Sequence, residues 1–128
     1  MTVALWCILI AICLPYLCIA IAKFGGGKFG LRHNHDPRAF LETLEGLPRR
    51  AYAAQLNSFE ITPAFAAAVI VAHLAGNAEL VTINVLAVLF ITSRLLYIIC
   101  YLADWATLRS LVWFVGVGLI LSFFFVSI

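Results

Sequence analysis

Charge is what this sequence has least of. Charged residues make up 11% of its 128 residues, against about 25% in ordinary soluble domains. Hydrophobic residues make up 65%, and a soluble core of this size has too little interior to hide them. The scarcity excludes a soluble globular protein and points to an integral membrane protein. The net charge of +2 gives no sign of a nucleic-acid partner.

Other absences narrow the class. The four cysteines, Cys7, Cys13, Cys18 and Cys100, form no Cys-x-x-Cys pair and all lie in apolar stretches. They read as small hydrophobes, which excludes a disulfide framework or a metal site built on them. No basic residue precedes Lys23, so the first apolar run lacks the charged start of a signal peptide. Despite the small residues Ala20-Ile21-Ala22, a retained span is expected there. "GGGKFG" (Gly25–Gly30) lacks the Lys-Ser/Thr ending of a phosphate loop and reads as a connector. "HNHD" (His33–Asp36) has no further ligands and is not read as a metal site. No internal repeat appears.

What is present is four apolar runs of spanning length, since about 20 residues cross the hydrocarbon core as a helix. They run from about Thr2 to Ala22, Arg49 to Ala75, Leu80 to Leu102, and Leu108 to Ser127. The expected fold is an all-α membrane four-helix bundle, residues 1–128 forming one domain. Pro63 removes one backbone donor from the second span and should kink it. Residues 23–48 form a long loop, within which "DPRAFLETLEG" predicts a short helix with Asp36 as N-cap, Pro37 first and Gly46 at its end. Gly116, Gly118 and Ser122 suit close helix packing. Asn84 suits an interhelical hydrogen bond, and His73 an interfacial position. Six of the eight Lys and Arg residues lie in or beside the first loop, and Arg109 flanks the third. Basic loops stay inside. Both termini are therefore expected outside, with the first and third loops in the cytoplasm.

The informative residues are polar ones within the spans. A carboxylate at the centre of a spanning helix costs about 2.5–3.5 kcal/mol on insertion scales, so Glu60 needs a reason. At about 100° per residue, Arg50, Asn57 and Glu60 share one side of the second span. Arg94, Tyr97 and Tyr101, spaced by three and four, share a face of the third. Arg109 opens the fourth at the same depth. The set has excess positive charge, so an anionic ligand is expected. Glu60 has two readings, a pair with an arginine or a partner for a ligand ammonium. The bland reading has Arg50 and Arg109 snorkelling to the interface, the tyrosines in an aromatic belt and Glu60–Arg94 as a structural pair.

Two motifs then resemble a known family. "RAYAAQLNSFEITPAF" (Arg50–Phe65) carries Arg…Asn-x-x-Glu with a nearby Pro, and "RLLYIICYLADWATLRS" (Arg94–Ser110) carries Arg-x-x-Tyr-x-x-x-Tyr followed by a basic residue. The chain resembles the MAPEG family, membrane-associated proteins in eicosanoid and glutathione metabolism. Gln55 departs from the His that many members carry there. The resemblance implies a homotrimer binding glutathione between subunits near the cytoplasmic side. It implies that Arg50, Asn57, Glu60, Arg94, Tyr97 and Tyr101 contact glutathione and that Arg109 holds its thiolate. The expected function is a glutathione-dependent membrane enzyme, conjugating a lipophilic electrophile or reducing a lipid hydroperoxide. The competing reading is a non-catalytic membrane protein that binds a lipid or small anion, or a transport or assembly subunit.

Overall fold

A computed structural model describes all 128 residues. Its helices are α1 (Val3–Phe24), α2 (Pro37–Glu42), α3 (Gly46–Ala75), α4 (Leu80–Leu102) and α5 (Ala106–Phe125), with a short 3-10 helix at Leu31–His35. The chain is all-helical, and α1, α3, α4 and α5 are each long and apolar enough to cross a membrane. Large apolar side chains such as Trp6, Leu17, Phe114 and Leu121 point outward, as a bundle solvated by lipid requires.

Helices α3 and α4 form the centre; α1 packs against both from one side, and α5 from the other. The main core follows from apolar residues recurring at helical spacing on the facing sides. At its heart Phe65 stacks on Phe90, ring centroids 4.0 Å apart, and meets Phe123 edge-on at 6.0 Å. All three are fully buried. Gly116 is buried against α3 and α4, but a methyl group there would make only ordinary contacts with Ser93, Phe90 and Ile61 at 3.6 to 4.0 Å, so the approach of α5 does not depend on a glycine. Gly118 does not serve the packing expected of it, because it faces open space. Ser122 bonds the Gly118 carbonyl of its own helix.

The end of the bundle that carries the termini is tied by side chains. Asn84 makes the expected interhelical bond, its Oδ1 accepting from the Ala4 amide at 3.0 Å. His73 Nδ1 bonds the Val69 carbonyl at 2.8 Å, which leaves Nε2 to accept from the Thr2 hydroxyl at 2.9 Å.

Two prolines sit inside spanning helices, Pro15 in α1 and Pro63 in α3. Each removes the donor that would close the turn before it. Helix α3 nevertheless runs through Pro63 from Gly46 to Ala75. The carbonyl that Pro15 leaves free, Ala11, faces the Thr62 hydroxyl of α3 at 3.4 Å. Thr62 shares its single proton between Ala11 and Ser58 of its own helix, the latter at 2.6 Å. In lipid no water takes over such a bond. Thr62→Val is therefore expected to lower stability by about 1 kcal/mol, read as an earlier thermal unfolding in detergent. Unchanged unfolding would show that the Ala11 carbonyl needs no partner.

The first loop departs from expectation at one point. Asp36 caps α2, accepting from the Ala39 amide at 3.1 Å, and Pro37 opens it. The helix ends at Glu42, however, and not at Gly46. Thr43 turns its hydroxyl and amide back onto the Phe40 carbonyl at 2.7 and 3.1 Å, which closes the helix early. Gly46, at φ 61°, instead starts α3 three residues before Arg49. Pro48 then falls in the first turn, where no donor is needed.

Candidate functional site

The site lies at the loop end of the bundle, where the first half of α3, the last turns of α4 and the start of α5 meet. Its anchor is Arg94, 2% exposed. A buried guanidinium is costly unless hydrogen-bonded. Arg94 Nη2 donates to Asn57 Oδ1 at 2.9 Å and lies 3.5 Å from Ser58 Oγ. Its guanidinium also sits over the Tyr97 ring, 4.1 Å from the centroid. Ser58 is itself buried and donates to the Ala54 carbonyl at 2.9 Å.

This arrangement fixes the Asn57 amide. Its oxygen must face the arginine, so its nitrogen faces Glu60, with Nδ2 3.4 Å from Oε2. The arginine partner considered for Glu60 is absent: Arg94 bonds Asn57 and Ser58, and the Glu60 carboxylate is exposed on the outside of α3. Asn57 Oδ1 takes the Arg94 donor that a Glu60–Arg94 pair would have used, and the guanidinium keeps its charge.

Along α4, Tyr97 and Tyr101 meet edge-to-face at 5.6 Å. Arg109, from the first turn of α5, places its guanidinium 4.3 Å from the Tyr101 ring centroid. The aromatic face holds the cation in place without neutralising it. Asn57, Tyr97, Tyr101 and Arg109 line one cleft of about 240 Å³, together with Ser110, Trp113 and Phe114. A second groove of about 220 Å³ adjoins it. Asn57, Glu60 and Trp113 line this groove too, but its other walls are apolar, from Ile61 and Ala64 to Leu121. A polar cleft thus opens beside an apolar groove, an arrangement that suits a charged molecule meeting a lipophilic one.

Six of the seven expected residues converge here. Arg50 stands apart, its Nε and Nη2 both donating to the Leu102 carbonyl at 3.2 and 3.1 Å. Sequence reasoning missed Ser58 and Trp113. Trp113 was detectable, since it lies four residues after Arg109 and so on the same face of α5. Ser58 gave no such signal, because a serine in a spanning helix commonly bonds its own backbone.

No curated protein and no solved structure matches the chain significantly. The model of the MAPEG family matches residues 3–128. Four helices long and apolar enough to cross a membrane agree with that match. The protein is an integral multi-pass membrane protein, and it belongs to the MAPEG family, whose members act in eicosanoid and glutathione metabolism.

Proposed function

We propose that the protein binds glutathione and activates its thiol for attack on a lipophilic substrate. The observation that carries this reading is Arg109, a cation held over Tyr101 in the wall of an open cleft. A cation beside a thiol stabilises the thiolate, which is the nucleophile. Glutathione carries two carboxylates, one ammonium and one thiol. The lining fits it: the two phenols and the Asn57 amide suit a carboxylate, with the positive charge of the buried Arg94 behind them, and the exposed Glu60 carboxylate suits the ammonium.

The thiol proton passes to water. The thiolate sulfur then forms a bond to an electrophilic carbon, and the leaving group departs with the electron pair of its bond. With a lipid hydroperoxide, sulfur takes the terminal oxygen and the alcohol leaves; a second glutathione reduces the sulfenic product to disulfide and water. The apolar groove beside Glu60 gives the lipophile a route from the bilayer.

The same reading includes a homotrimer, with the loop end in the cytosol and both termini outside. An exposed carboxylate within a spanning helix is costly toward lipid, so a second copy covering Glu60 relieves that cost. The basic first loop favours this orientation, and a cytosolic opening suits a cytosolic tripeptide.

Glutathione at about 100 times its dissociation constant is expected to raise the stability of the detergent-solubilised protein by about 2.7 kcal/mol, read as a rise in melting temperature. No rise at millimolar glutathione would remove this function and favour a non-catalytic membrane protein.

A further inference from the structure

Arg50 lies on the same stripe of α3 as Asn57, yet both donors on one edge of its guanidinium are spent on one backbone carbonyl. The reason lies in how α4 ends. Ala103 is its C-cap, and Asp104 adopts a left-handed conformation, φ 62°. The Asp104 amide bonds the Tyr101 carbonyl at 3.2 Å, and the Trp105 amide bonds the Cys100 carbonyl at 2.8 Å. This pair of bonds is a Schellman motif. It satisfies Cys100 and Tyr101 and leaves the Leu102 carbonyl, at the helix end that carries the negative partial charge. Arg50 supplies the missing donors across the interface from α3.

We propose that Arg50 is a positioning residue for the thiolate site and not a ligand contact. Leu102, which it holds, adjoins Tyr101, on whose ring Arg109 is stacked. Arg109 is in turn bonded through its amide to the carbonyl of Trp105, the last residue of the turn, at 2.9 Å. Arg50 therefore clamps the α4 end of the α4–α5 connection against α3, and the short turn carries that restraint on to the start of α5. Without the clamp the turn is free to shift, and Arg109 moves with it relative to Asn57 and Glu60.

The catalytic arm of this inference rests on the glutathione reading; its structural arm does not. Amide hydrogen exchange across Leu102–Trp105, measured without glutathione, is expected to be at least about tenfold faster in Arg50→Gln than in the parent protein. Equal exchange would overturn the clamp whatever glutathione does. Where the parent protein binds glutathione, Arg50→Gln should leave the dissociation constant within about threefold. It should lower kcat by about ten- to a hundredfold, the scale for misplacing a reacting group by about an ångström. The ultraviolet thiolate band of bound glutathione should weaken in parallel. Arg50→Lys keeps one donor for the Leu102 carbonyl and should recover part of each loss, which also serves if the glutamine variant folds poorly. A weaker dissociation constant with the thiolate band intact would make Arg50 a ligand contact and sink the proposal. A parent protein that binds no glutathione would sink the function instead, with the exchange result still deciding the clamp.

Discussion

Arg109→Ala is expected to lower kcat for glutathione-dependent turnover by about a hundred- to a thousandfold. That is the usual effect of removing one group aimed at developing charge. The charge at issue is on sulfur. Removing the guanidinium returns the thiol to its solution acidity, so less of it is nucleophilic at neutral pH. Binding should change only a few-fold, because Asn57, Glu60, Tyr97 and Tyr101 remain to hold the peptide. Stability should hardly change either, since the side chain gives up one cation–π contact at 4.3 Å, worth about 0.5–1 kcal/mol in a partly exposed position. Steady-state kinetics separates the outcomes. A loss confined to KM would make Arg109 a binding group, and unchanged turnover would remove it from the mechanism. Arg109→Lys should sit between the two, since an ammonium supplies charge without the flat face that stacks on Tyr101.

Phe65→Ala should give the largest loss of stability, about 3 kcal/mol. Phe65 is fully buried, stacked on Phe90 from α4 and edge-on to Phe123 from α5. Its ring therefore holds three of the four spanning helices together. The expected figure lies at the low end of the range for Phe→Ala in soluble cores. In a bilayer the alternative surroundings are as apolar as the core, so the transfer term largely disappears. The cavity and the lost dispersion contacts remain. Phe65→Leu refills part of the cavity and should recover more than half of the loss. Thermal unfolding in one detergent reads all three proteins, and an alanine variant as stable as the parent would show that the stack is not what joins the helices.

The candidate site was partly legible in the sequence because part of it is local. Arg94, Tyr97 and Tyr101 are spaced by three and four, so any helix over Leu80–Leu102 puts them on one face. The same holds for Asn57 and Glu60, whose hydrogen bond is within one turn of α3. The role of Arg50 was not legible. It shares the stripe of Asn57, and only the arrival of the end of α4 beside it gives its donors to Leu102. Nor was the partner of Arg94, for which a carboxylate was the obvious candidate and an amide oxygen the actual one. The first loop failed for a different reason. Thr43 and Gly46 are both helix-ending residues, and the choice between them depended on where α3 had to begin for Pro48 to fall in its first turn.

The sequence by itself determined the membrane class, the four spans and the polar stripes on α3 and α4. Those properties follow from hydropathy and the 3.6-residue period, which neighbouring residues fix without help from the rest of the chain. Tertiary structure alone decided which stripe meets which, giving Arg94 to Asn57, Arg50 to the end of α4, and Arg109 to Tyr101. Such pairings depend on the rotation and depth of whole helices against one another. In lipid those are set by packing at contacts such as Phe65–Phe90 and Phe65–Phe123, between residues far apart in the chain.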